Sequence, residues 1–113
     1  MKVLVFDDVL FGRAREYEVL DLELQFYAHA DDAVTIVARE KPDVVLMDYS
    51  MDARHSGEDA IRALRSAGMP GGGRIVAISS DAGSNVRMLR AGADDAIPKT
   101  HVKGYLSRLA KLK

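Results

Sequence analysis

Cysteine is absent from the 113 residues, which excludes a disulfide framework and a thiolate-ligated metal site and is compatible with a reducing compartment. No apolar stretch is long enough to span a bilayer. The N-terminal segment Met1–Phe6 has one positive charge and an apolar run far shorter than a signal h-region, and it runs straight into Asp7 and Asp8. No two of the three histidines, His29, His55 and His101, share the spacing of metal ligands. The glycines of Pro70-Gly71-Gly72-Gly73 lead into an apolar strand rather than a helix, so they read as a flexible connection and not as a phosphate cradle. Repeats and low-complexity tails are missing as well. The expectation is one domain, residues 1–113, soluble and cytoplasmic, large enough to bury roughly two-thirds of its unfolded surface.

The net charge of −1 hides an asymmetry. Residues 1–60 carry 6 Lys/Arg against 14 Asp/Glu, and residues 61–113 carry 10 against 3, so the halves stand at −8 and +7. Early acidity suits a cation site, and a basic second half suits an acidic partner. Most of these charges taken singly serve to solvate helix faces.

The segment Pro42-Asp43-Val44-Val45-Leu46-Met47-Asp48-Tyr49-Ser50 organises the rest. Its short, β-branched apolar run reads as a strand, Asp43–Met47, buried on both faces and ending in a carboxylate. Lys2–Phe6 is the equivalent first strand, closed by Asp7-Asp8. Leu24–Ala28, Ile75–Ile78 and Asp95–Ile97 are the second, fourth and fifth, the last two followed by Ser79-Ser80-Asp81 and Pro98-Lys99-Thr100. Between them the spacing predicts a helix from Val9 to about Leu20 through Leu10, Ala14 and Tyr17, weakened by Gly12. A second helix is capped by Asp31 or Asp32, turns Ala33, Val34, Val37 and Ala38 inward, and stops at Lys41. After a polar loop, Tyr49–His55, Ser56-Gly57-Glu58-Asp59 resembles a capping box ahead of Ala60, Ile61, Leu64 and Ala67, with Gly68 at the C′ position. The fourth helix is expected around Asn85–Ala91 with Val86 and Leu89 inward. The last, about Val102–Lys111, carries Val102, Leu106, Leu109 and Ala110 on one stripe.

Five strand–helix units in strict alternation call for a flavodoxin-like, doubly wound α/β fold, a five-stranded parallel sheet in the order 2-1-3-4-5 with helices on both faces. In such sheets ligands bind beyond the carboxyl ends of the first and third strands, where the order reverses. Those strands end in Asp7-Asp8 and Asp48. Carboxylates gathered there repel one another, and raised pKa values or a bound cation relieve them. Oxygen ligands favour a hard ion such as Mg²⁺, and an aspartate beside it can act as a nucleophile towards phosphorus. Lys99 offers a point charge and Ser79 a hydroxyl to phosphoryl oxygens.

Val3-Leu4-Val5-Phe6-Asp7-Asp8, Val44-Val45-Leu46-Met47-Asp48, Ile75-Val76-Ala77-Ile78-Ser79 and Ala91-Gly92-Ala93-Asp94-Asp95-Ala96-Ile97-Pro98-Lys99 together resemble the receiver domain of two-component response regulators over essentially the whole chain. The resemblance implies that Asp48 accepts a phosphoryl group from phosphohistidine on a histidine kinase or histidine phosphotransfer protein. It implies Mg²⁺ held by Asp8 directly, by Asp7 largely through water, by Asp48 and by the backbone carbonyl of Ser50. Ser79 and Lys99 then bind the phosphoryl oxygens, and the fourth and fifth units switch partner binding. Such a chain catalyses only its own phosphoryl transfer and dephosphorylation and is otherwise no enzyme; it is expected as a monomer or a weak phosphorylation-linked dimer.

Several positions depart from the family pattern. Ala96 stands where an aromatic usually reorients, Thr100 replaces the proline after the lysine, Asp52 replaces a proline, the loop to Gly57 is one residue longer, and Ser80 replaces an alanine. Ala96 and Thr100 motivate an alternative, a pseudo-receiver acting as a phosphorylation-independent interaction module. An aspartyl-phosphate hydrolase of the haloacid dehalogenase type needs an acid two residues after its nucleophile, where Val9 follows Asp7. Direct nucleic-acid binding is not expected, with no further domain after Lys113 and no basic net charge.

Overall fold

Apolar residues at every position of a strand leave no face for water, and the sheet is covered on both sides accordingly. The computed structural model describes residues 1–51, 54–69 and 73–112. Its five strands are β1 (Lys2–Phe6), β2 (Glu23–Tyr27), β3 (Val44–Met47), β4 (Arg74–Ala77) and β5 (Asp95–Ala96). All pair in parallel, in the order β2-β1-β3-β4-β5. The order and the flavodoxin-like class are those expected from the sequence; strand ends differ from expectation by a residue or so, as pairing fades at the rims.

Alternation along each strand sends successive side chains to opposite faces. Leu4, Phe6, Val45, Met47, Ile75 and Ala77 pack with Ala33, Val37, Ile61, Leu64 and Met88 on one side. Those partners come from α2 (Ala33–Glu40), α3 (Gly57–Ser66) and α4 (Ala82–Ala91). Val3, Val5, Leu46, Val76 and Ile78 pack on the other side with Leu10, Tyr17, Val102, Leu106 and Leu109. These belong to α1 (Asp8–Phe11), a 3-10 turn at Ala14–Tyr17 and α5 (Val102–Ala110).

Three helices differ from expectation. The first does not run to Leu20: α1 ends at Phe11, Gly12 follows, and a separate 3-10 turn covers Ala14–Tyr17. Only Leu10 and Tyr17 are needed on the core side, so a residue without helix preference between them lets the chain re-phase, and Leu20 is left 87 % exposed. In α2 the buried stripe is Ala33 and Val37 with Ile36 alongside, whereas Val34 and Ala38 lie on the solvent side. In α4 the inward residues are Asn85 and Met88, and Val86 and Leu89 stand 44 % and 41 % exposed. The helix also starts earlier, at Ala82, because the Asp81 side chain accepts the Ser84 amide and caps it.

The capping box at α3 forms as the sequence suggests, with Ser56 Oγ accepting from Asp59 N and the Asp59 carboxylate from Ser56 N. Gly68 follows the helix with φ of +66°. Asp52, within the Tyr49–His55 loop, and Pro70–Gly72 of the glycine-rich connection lie outside the described residues. Among the described residues no helix is long and apolar enough to cross a membrane.

Candidate functional site

Parallel register places the strand ends level with one another. Phe6 pairs with Met47 and Met47 with Ala77, and the ladder runs on as Asp48 N donates to Phe6 O at 3.0 Å and Ile78 N to Met47 O at 3.0 Å. Asp7 and Asp48 therefore leave neighbouring strands side by side at the point where the strand order reverses.

Asp7 does two things. Its Oδ1 caps α1 by accepting from Val9 N at 2.9 Å and Leu10 N at 3.0 Å, which fixes the carboxylate and leaves Oδ2 facing the hollow. The first helical residue, Asp8, is less buried. One ligand oxygen from each of Asp7, Asp8 and Asp48 lies within 4.8 Å of the others.

Lys99 reaches the pair from beyond β5, where Pro98 keeps the backbone extended before a 3-10 turn at Lys99–His101. Its Nζ donates to Asp48 Oδ2 at 3.0 Å. It also stands 2.8 Å from Asp7 Oδ2, so the same ammonium is ion-paired with both buried carboxylates. Burial, reinforced by the neighbouring Asp7 carboxylate, holds the Asp48 carboxyl above its ordinary 3.8 despite Lys99. Burial works to lower the Lys99 ammonium, yet the two carboxylates outweigh it and hold it above 10.5.

One ammonium against three carboxylates leaves the hollow short of positive charge. Three carboxylates within 4.8 Å of one another form an all-oxygen donor set that fits a hard divalent cation, and Mg²⁺ is typically held by one or two carboxylates with waters completing its shell. Ser50 lies two residues past Asp48 on the same exposed loop.

Two residues that the sequence reading did not assign to the site help to build it. Gly57 opens α3 directly against the phosphoacceptor candidate: its N–H donates to Tyr49 O at 2.8 Å, and a Cβ there would overlap the carbonyl oxygen of Asp48. Asn85, on the inward face of α4, accepts from Ser79 N at 2.9 Å and donates to Ser79 O at 3.0 Å and Ile97 O at 3.3 Å. Ser79 itself is buried, and its Oγ accepts from Asp81 N at 3.0 Å. The only sequence signal for Asn85 was a polar residue one step off the apparent apolar stripe; for Gly57 it was a glycine inside a capping box.

None of His29, His55 or His101 joins a metal-binding group among the described residues. His29 Nδ1 lies 3.8 Å from Asp31, and His55 donates its backbone N–H to the same carboxylate.

The molecule is thus a doubly wound parallel sheet with an acidic trio and a lysine at its switch point. The family model described as "Response regulator receiver domain" matches residues 3–110, and the chain belongs to that family. A curated relative, a nitrate/nitrite response regulator protein homolog of Haemophilus influenzae, is 27 % identical over 104 residues, covering 88 % of this chain and 50 % of the relative, so the chain spans about half its length. Among solved structures, the response regulator domain of Thermotoga maritima CheB is 27 % identical with a TM-score of 0.72, covering 98 % of this chain and 88 % of that one. The BeF3-activated receiver domain of Klebsiella pneumoniae RstA is 25 % identical with a TM-score of 0.71, and all of both chains is covered. The receiver domain of a Pseudomonas aeruginosa sensor histidine kinase, solved with magnesium coordinated in its active-site cleft, has a TM-score of 0.79 at 22 % identity, covering 97 % and 93 %, and shows the shared fold.

Proposed function

We propose that this chain is a phosphoacceptor receiver in which Asp48 takes a phosphoryl group from the phosphohistidine of a histidine kinase or histidine phosphotransfer protein. The observation that carries this reading is the joint placement of Asp7, Asp8 and Asp48 within one 4.8 Å cluster with Lys99 Nζ 3.0 Å from Asp48. In the transfer, the phosphorus–nitrogen bond of the donor breaks, an oxygen–phosphorus bond to an Asp48 carboxylate oxygen forms, and the departing imidazole keeps the bonding pair and takes a proton. Lys99 is placed to meet the charge on the transferred oxygens, which is where positioning and electrostatics act in this chemistry. Ser79 Oγ accepts from Asp81 N and so keeps its own proton for a phosphoryl oxygen.

Asp8, Asp48 and the Ser50 carbonyl would hold Mg²⁺, with Asp7 acting largely through water. When bound, the ion supplies the positive charge that offsets carboxylate and phosphoryl oxygens in one small space. Beyond transfer to itself and slow hydrolysis of the acyl phosphate, the chain performs no metabolic reaction. It acts in the cytoplasm, as a monomer or weak phosphorylation-linked dimer and without direct nucleic-acid contact, by changing how the α4-β5-α5 face meets a protein partner. The exposed Val86 and Leu89 with Arg87 and Arg90 lie on this face.

Incubation with Mg²⁺ and phosphoramidate, a small donor with the same phosphorus–nitrogen bond, should load one hydroxylamine-labile phosphoryl group. Absence of label in the folded wild-type chain would overturn the proposal in favour of a phosphorylation-independent interaction module.

A further inference from the structure

Ser79 and Lys99 lie just beyond the ends of β4 and β5, yet in the proposed transfer both must meet the same phosphoryl oxygens, so something has to hold those two ends in a fixed relation. In this fold an aromatic at position 96 is not available for that task, because the residue there is alanine. A single side chain spans the gap instead. Asn85, itself buried, engages both backbone groups of Ser79 and reaches the carbonyl of Ile97, two residues before Lys99. Ile97 is in turn tied to β4 through its N–H on Ala77 O at 2.9 Å.

We infer that Asn85 is a positioning residue for phosphoryl recognition, coupling the main chain at Ser79 to the Lys99-bearing end of β5 and carrying the signal between them. The inference rests on the phosphoacceptor reading and deepens it. With its N–H and C=O both engaged by one amide, the Ser79 backbone cannot draw towards a phosphoryl group without pulling α4 and Ile97 along with it. Rotation of the Ser79 hydroxyl alone would instead disturb only Asp81, whose amide it accepts. The two routes leave different traces. Buried polar side chains that fill every hydrogen-bonding position specify one arrangement of the groups around them, and half-filled ones do not.

The test uses Mg²⁺ alone and then Mg²⁺ with beryllofluoride as the phosphoryl stand-in, followed by fluorine NMR for binding and amide shifts for propagation. In the wild-type chain, beryllofluoride should move the Ala96 and Ile97 amides together with that of Ser79. Asn85→Ala should leave Mg²⁺ affinity unchanged, weaken beryllofluoride roughly tenfold, as expected when a buried hydrogen-bond partner is removed, and abolish the response at Ile97. Asn85→Asp, which keeps the shape and the acceptor for Ser79 N–H but loses both donations, should uncouple Ile97 in the same way and covers the case in which the alanine variant unfolds. Val34→Ala, on the solvent side of α2, should behave as wild type. An unaltered Ile97 response in both Asn85 variants, or equal losses of Mg²⁺ and beryllofluoride affinity, would overturn the inference while leaving the receiver reading intact. If the wild-type chain itself binds no beryllofluoride, the receiver reading falls and the inference with it.

Discussion

Asp48 is buried beside a second carboxylate, so its ionised form is supported mainly by one ammonium. Its carboxyl is held above the ordinary 3.8, first by burial and then by Asp7. For a group raised on folding, the stability it contributes is fully present below the unfolded value and is lost as pH rises through the folded one. Without divalent cations, Asp48→Asn should therefore be more stable than wild type at pH 7, with the advantage shrinking as pH falls towards 4. Urea midpoints in a chelator at the two pH values check this, and a variant weaker at both would contradict it. Lys99→Met removes the ammonium from the same cluster and should cost about 1–3 kcal/mol at pH 7, less than for a wholly sealed pair because the lysine is partly exposed and Asp48 can take up a proton. Asp7, Asp8, Asp48 and Ser79 were legible in the sequence because they close apolar runs, and Lys99 because Pro98-Lys99 ends the last short strand segment. Asn85 was not, since its importance lies in two backbone segments that only the fold brings within reach of one amide.

At the scale of elements, the inner strands β1, β3 and β4 could be read because burial on both faces writes a nearly uninterrupted apolar run, whereas the edge strands β2 and β5 carry polar residues. Helix phase was harder. Val86 and Leu89 look like a core stripe by composition, but the hydrogen bonds of Asn85 turn α4 so that Met88 enters the core and those two face solvent. The same ambiguity misassigned Val34 and Ala38, while Gly12 proved a stronger break than its propensity alone suggests. The start of α3 is the element most tightly bound to the site. Gly57→Ala would drive a methyl group into the Asp48 carbonyl, and the backbone rather than a flexible side chain must yield. A loss of about 3 kcal/mol by denaturant unfolding, with a weakened cation site, is expected; a loss under about 1 kcal/mol would show that α3 sits further from Asp48. Ser56→Ala, one residue earlier, removes only a cap and should cost about 1 kcal/mol without altering phosphorylation, as parallel unfolding and labelling would show.

Across the whole molecule, the order β2-β1-β3-β4-β5 converts a charge gradient in sequence into one in space. The acidic first half builds β1, β2 and β3 and supplies the hollow, and the basic second half builds α4, β5 and α5 with Lys99 extended back across the rim. A cation that binds only the folded chain stabilises it by mass action, so Mg²⁺ at ten times its dissociation constant should raise unfolding free energy by about 1.4 kcal/mol. Asp8→Asn should lose most of that gain in a thermal melt, whereas Asp59→Asn, away from the hollow, should keep it. The central claim is that Asp48 is the residue modified. Peptide mass mapping of the intact chain after reaction with Mg²⁺ and a small phosphodonor tests it most directly. One phosphoryl group is expected on the segment containing Asp48 and none in Asp48→Asn; a group that persists in that variant, or that maps to a histidine, would show that another residue is modified.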